Sequence, residues 1–428
     1  MSPGRRSADS ASRAALPFLV LAAIVVVASA ATVAVAGLEH GTVVLSVAFG
    51  AFIAVGEVLR VRLPGEREAA PLAAAGTLAF ALLPAYNGTD LSYGATQVVL
   101  VTTIGLLVGS VPGVVAGRGI QPDEFARRVL VVTLVAVIFR PLLETDLVPH
   151  SASPALALAM VVVAAIGSLA DALIASAVAA SGARAPFTTT LGDEIRALAG
   201  MGSAVGATGI LIALATPHMG LWSLPVFALP LLLTWFAFRR YAGIRRTYIQ
   251  TIRALARVTE IGGYSETGHA RRVSALAVDI GRQLGMTERQ LVDLEYAALL
   301  HDIGQLSLPE PIPGGATTMV SDEDQRRIAE LGSAVIRQTG VMDEVALMIE
   351  RQADPWRPHR GAPDPTLPLG SRIIRAVNAY DDLVGASVES DRRLQALERL
   401  NLATVSDYDP DVVAVLTRTV ERDLERVG

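Results

Sequence analysis

The sequence predicts an all-α protein in two parts: an eight-helix transmembrane bundle followed by a cytoplasmic all-α domain. Three observations predict this. The mean hydropathy is +0.46 and 52% of residues are hydrophobic, too apolar for an ordinary soluble enzyme. The excess is uneven: Ala, Val, Leu and Gly dominate to about residue 240, and charged residues take over beyond it. From residue 247 onward apolar residues recur at helical spacing, with no alternating strand-like runs.

Composition narrows the chemistry. The 428 residues suffice for two or three domains. With no cysteine, disulfides and thiolate metal ligands are excluded. Lysine is absent and all 36 basic residues are arginine, as in a GC-rich bacterial genome. The net charge of -5 is mild and no basic run points to a nucleic acid polymer as partner. The lipid bilayer is the partner that the apolar half implies.

Residues 1–15 read as a cytoplasmic tail and 16–240 as the membrane domain. Apolar segments lie near 16–37, 41–59, 71–87, 96–117, 129–145, 155–181, 197–216 and 220–238. A spanning helix needs roughly 20 such residues. The first follows Arg5, Arg6 and Arg13 and is longer than a secretory apolar core, so a retained anchor is expected. Arginines also fall after segments two (Arg60, Arg62, Arg67), four (Arg118, Arg127, Arg128), six (Arg184, Arg196) and eight (Arg239, Arg240, Arg245, Arg246), while the alternate loops have none. Positive charge stays inside, so both termini are expected in the cytoplasm of a bacterial cell, the chain crossing its membrane several times. Trp222 and Trp235 suit interfacial belts. Gly105, Gly109, Gly113 and Gly117 share one face and permit close helix packing. Asp171 is a carboxylate within the sixth segment, either functional or bonded inside the bundle. Glu57 and Arg140 lie nearer segment ends, where snorkelling is expected. A transporter would show more polar residues at mid-depth, or paired broken helices.

A connecting helix spans 241–262. Ile249, Ile252, Leu255 and Ala256 follow helical spacing, so it either pairs with a second copy in a homodimer or opens the soluble domain, 263–428. There, Thr287 and Gln290 form a capping box. Leu291, Leu294, Ala298 and His301 share a face, and Gly304 suits the helix stop. His301 and Asp302 can reach one point only where that helix ends, and imidazole with carboxylate suits Zn, Mn or Fe. A second segment, "ETGHARRVSALAVDIGRQLG", precedes it and carries His269.

The motifs "GHARRV", "LGM", "YAALLHDIGQLSLP" and "SRIIRAVNAYDDLV" resemble the HD superfamily of metal-dependent phosphohydrolases, most nearly the HD-GYP cyclic di-GMP phosphodiesterases. The resemblance covers about residues 250–425. It implies an all-α bundle in which active members use two or three Mn or Fe ions to activate water against a phosphodiester. It puts metal ligands at His269, His301 and Asp302, with Asp302 the catalytic, bridging carboxylate and Glu266 an additional ligand. Elsewhere the pattern is broken. "VSDEDQRRIAELG" lacks the family histidine. Arg351, Gln352 and Ala353 replace a histidine pair and glutamate, "RPHRGAPDP" the GYP loop, Asn378 the last aspartate, and Gln305 a lysine. The soluble half has only His269, His301 and His359, so at most one ion is expected, with Asn378 as a weak amide ligand. Asp381 and Asp382 are expected to point elsewhere. Gln305, Arg357 and Arg360 are the candidates for holding a phosphate. Two functions follow: a membrane-anchored signalling protein whose degenerate domain binds a cyclic dinucleotide, other nucleotide or signalling protein, or a working phosphohydrolase with a reduced metal site.

Overall fold

The computed structural model describes residues 4–427 apart from 40, 63–67, 118, 120, 146–147, 149–152, 184–185, 313–315, 318–319, 341, 359–360, 388 and 405. The chain divides into two units, Met1–Gly243 and Ile244–Gly428.

The first unit contains α1 (Gly4–Ala36), α2 (Val43–Val58), α3 (Pro71–Leu82), α4 (Ala95–Val115), α5 (Pro122–Leu143), α6 (Pro154–Ala183), α7 (Phe187–Ala197) and α8 (Ser203–Met219). It also holds the start of α9 (Ser223–Ile261), within which the division falls. All eight apolar segments are largely helical, but four stretches are long and apolar enough to cross a membrane: Ala15–Ala36, Ala95–Val115, Pro154–Ala180 and Phe187–Ala237. α2 and α3 are shorter. α3 stops at Leu82 because Pro84 disfavours helix at its neighbour and Asn87-Gly88, both at positive φ, turn a small hairpin. α5 starts earlier than its apolar run, at Pro122, with Asp123 and Glu124 in its first turn. The arginine-bearing loop expected before segment seven contains α7, joined to α8 by a π turn at Leu198–Gly202.

Glu57 and Arg140 do not snorkel. Arg140 is 4% exposed and donates to the carbonyls of Phe80 (2.8 Å) and Leu83 (2.9 Å), with its guanidinium 3.7 Å from the Tyr93 ring centre. The last carbonyls of a helix lack intrahelical partners and attract a cation. Arg140 therefore closes the end of α3. Glu57 is buried and pairs with Arg60 and, at 2.7 Å, with Arg128, which also meets Glu124. Asp171 is paired with Arg127. A Cβ on Gly105 would lie 2.9 Å from the Gly50 carbonyl oxygen, and one on Gly109 2.5 Å from that of Ala54. The glycine face thus packs α4 on α2, while a Cβ on Gly113 would meet nothing. Trp222 is exposed, and Trp235 donates its indole N–H to the Leu59 carbonyl.

The second unit is all-α: the rest of α9, then α10 (His269–Gln283), α11 (Glu288–Leu300), α12 (Asp322–Arg337), α13 (Asp343–Glu350), α14 (Leu369–Val384), α15 (Ser390–Ala403) and α16 (Pro410–Val427). Its core joins Val273, Ala277 and Ile280 of α10, Leu294 and Ala298 of α11, Ile349 of α13, Ile373 and Val377 of α14, and Leu416 of α16. Ile252 and Ala256 of α9 belong to this core, as a first helix of the soluble domain requires. The Thr287–Gln290 capping box is formed in both directions. α11 ends at Leu300 and a 3-10 turn, Ile303–Ser307, follows. Gly304 serves close approach rather than the helix stop: a Cβ there would overlap the Ile328 carbonyl of α12.

Candidate metal centre

His269 begins α10, and Gly268 before it takes the left-handed conformation, φ 81°, that glycine tolerates. His301 and Asp302 follow the last turn of α11. All three are at most 3% exposed. The Nε2 atoms of the two imidazoles are 3.2 Å apart, and each lies 3.4 Å from Asp302 Oδ2. The far nitrogen of each ring is already engaged. His269 Nδ1 is 2.8 Å from Asp381 Oδ2 and His301 Nδ1 is 2.7 Å from the Ala298 carbonyl. Those acceptors place the ring protons on Nδ1 and leave both Nε2 lone pairs facing Asp302.

A divalent cation fits this group. Ligand atoms about 2.1 Å from one ion lie about 3.0–3.4 Å from each other at octahedral or tetrahedral angles. Both Asp302 oxygens are buried and lack a well-formed hydrogen bond, the two imidazoles standing 3.4 Å from Oδ2. A buried carboxylate so weakly satisfied is costly, and a cation shared with the imidazoles removes that cost. His269, His301 and Asp302 would hold the ion, which would supply charge neutralisation and a more acidic bound water. Among the described residues these three form a cluster whose ligand atoms all lie within 4.8 Å of one another.

Burial opposes a proton on His269, but the Asp302 and Asp381 carboxylates outweigh it and push that imidazole up to about 10, so a proton and a cation compete for its Nε2. Burial would raise the Asp302 carboxyl, yet the two imidazoles hold it below the usual carboxylate range. Asp381 is held low in the same way by His269 and Arg272, against its burial. The pocket is built for positive charge.

Asp381 does not point elsewhere. It lies one turn after Asn378, and residues three apart share a helix face. Its oxygens accept from His269 and, at 2.8 Å, from the Arg272 fork. Glu266 also accepts from Arg272, at 2.7 Å, and its half-exposed carboxylate is engaged there rather than at the imidazoles. Asn378 Oδ1 is 3.2 Å from His301 Nε2, and its amide nitrogen donates to Thr317. Gln352 donates to the His301 backbone carbonyl at 2.8 Å.

A cavity of about 200 Å³ opens beside His301 and Asp302, lined also by Gln352, Asn378, Arg375 and Tyr408. Gln305 is buried in the 3-10 turn and does not line it. Arg357 does not line it either; its backbone N–H donates to Ser406. Arg360 and His359 lie outside the described residues. The sequence reading passed over Arg375, whose one signal was its place one turn before Asn378.

Residues 258–412 match the HD domain family. The second unit therefore carries an HD-superfamily domain, HD-GYP-like in its motifs. The chain is 25% identical over 170 residues to a cyclic di-GMP phosphodiesterase of Thermotoga maritima, which covers 37% of this chain and 45% of that protein. It is 25% identical over 146 residues to the cyclic di-GMP phosphodiesterase response regulator RpfG of Xanthomonas campestris pv. campestris, 32% of this chain and 38% of the relative. The chain thus spans less than half the length of these curated relatives. No solved structure matches it.

Proposed function

We propose that this chain is a membrane-anchored signalling protein whose HD domain holds one divalent cation on His269, His301 and Asp302 and binds a phosphate-bearing nucleotide without efficient hydrolysis. The carrying observation is the rest of the cavity lining beside those ligands. It presents the amides of Gln352 and Asn378 to the cavity, and neutral amides are poor partners for further ions. The test uses the full chain in detergent: elemental analysis for Mn, Fe and Zn, with cyclic di-GMP hydrolysis in parallel. About one ion per chain without turnover is expected. An ion with turnover abolished by His301→Ala establishes the second reading, a reduced-site phosphohydrolase. That reading is favoured by the orientation of both imidazoles toward Asp302.

The membrane unit is read as eight crossings with both termini in the cytoplasm. Contacts between loops support two sides. Arg60 and Arg128, from two arginine-bearing loops, meet on Glu57. Glu39, Thr42 and Gln97, flanking arginine-free loops, bond to one another. Since the chain lacks cysteine, single cysteines at Asn87 and Arg239 report topology directly. Labelling of position 87 from outside the cell and of 239 only after lysis is expected; the reverse pattern sinks the assignment.

A further inference from the structure

The cavity beside the metal centre contains a cation that the centre does not use. Arg375 lies one turn before Asn378 on α14, so both share a face. Its Nε donates to the Asp407 carbonyl at 3.2 Å and its Nη1 to the Ala353 carbonyl at 2.7 Å. Two backbone acceptors thus fix the plane of the guanidinium. A guanidinium has five N–H donors, so donors remain after these two bonds. The carboxylate paired with it is that of Asp407, 3.9 Å away and 46% exposed, where water screens the attraction.

The size and charge of the cavity limit what Arg375 can hold. Asp302, Asp322 and Asp407 line the cavity together with Arg375. An anion enters only where the cation and the guanidinium together offset these carboxylates. A terminal phosphate carries close to two charges at neutral pH and three free oxygens, enough to meet a guanidinium fork and a cation at once. An internal phosphodiester carries one charge and two free oxygens. The cavity of about 200 Å³ accommodates a phosphate at the end of a molecule with the nucleoside left outside, whereas a phosphodiester is flanked by a nucleoside on both sides.

We propose, on the one-cation reading of the centre, that Arg375 anchors a terminal phosphate, so that the ligand class is a nucleoside monophosphate or similar small phosphomonoester rather than a cyclic dinucleotide. Arg375 is a binding residue here, with Asn378 and Tyr408 beside it in the lining.

The test is calorimetry on the manganese-loaded full chain with GMP, orthophosphate and cyclic di-GMP as probes. GMP is expected to bind more tightly than cyclic di-GMP. Arg375→Gln is expected to weaken GMP and orthophosphate at least about tenfold with bound manganese retained, and Arg375→Lys to recover part of the loss. Equal GMP affinity in wild type and Arg375→Gln overturns the proposal, as does tighter binding of cyclic di-GMP than of GMP. A wild type that holds no manganese fails the one-cation reading alone if GMP binding still depends on Arg375. Absence of GMP binding to the manganese-loaded chain overturns the Arg375 proposal and leaves the one-cation reading standing.

Discussion

The two walls of the HD cavity differ in what they were built to hold. On the α10–α11 wall, His269, His301 and Asp302 converge, and Asp381 and a backbone carbonyl fix the rings from behind. On the rest of the lining, Gln352 and Asn378 beside His301 are neutral, and the charges are Arg375, Asp322 and Asp407. The α10–α11 residues have the donors and the supporting hydrogen bonds of a metal site; Gln352 and Asn378 offer neutral amides in place of imidazole and carboxylate ligands. A ligand set and the shell that orients it stand or fall together, so a half-built site can keep its cation while losing the second charge that hydrolysis needs.

The sharpest way to break this contrast is to remove the one anionic ligand. Asp302→Ala is expected to take the bound ion from about one per chain to none by elemental analysis; full retention would place the ion elsewhere. The converse experiment adds ligands to the bare wall. Gln352→His with Asn378→Asp is expected to raise bound manganese toward about two per chain and to bring measurable phosphodiester hydrolysis. An unchanged stoichiometry would mean that these two positions are not what limits the site to one ion.

Smaller effects sharpen the picture. Asp381→Asn keeps the shape but weakens the acceptor behind His269, and manganese affinity is expected to fall about 10–100-fold in a titration. Unchanged affinity would reduce Asp381 to a partner of Arg272. Gly304→Ala forces a methyl against the α12 backbone and is expected to cost about 1–3 kcal/mol. Thermal unfolding should show the same drop with and without metal, because the clash is with packing rather than with the ligands.

Much of this was legible in the sequence because local rules produced it. The Thr287–Gln290 box starts α11, its apolar face carries the chain to His301, and Asp302 follows at the helix end. What escaped was set by partners distant in sequence. Asp381 became a support for His269 only because α14 packs on α10, 112 residues away. Arg140 read as an end-of-helix snorkel until α3 offered it two carbonyls. α7 hid in a stretch taken for a loop because its apolar residues are few and spaced along one side.

If all eight apolar segments cross the membrane, the Arg140 contact carries a consequence for biogenesis. α3 has 12 residues, about 18 Å of helix, against an apolar slab of about 30 Å. Alone it is too short to partition stably, and its terminal carbonyls would meet hydrocarbon. The residue that satisfies them arrives on α5, more than fifty residues later in synthesis. Insertion of the third segment is therefore expected to wait for the fifth. Chains truncated after α4 should leave a glycosylation tag at the α3 end unprocessed in a translocation assay, and chains extended through α5 should process it. Arg140→Leu in the longer chain should behave like the truncation.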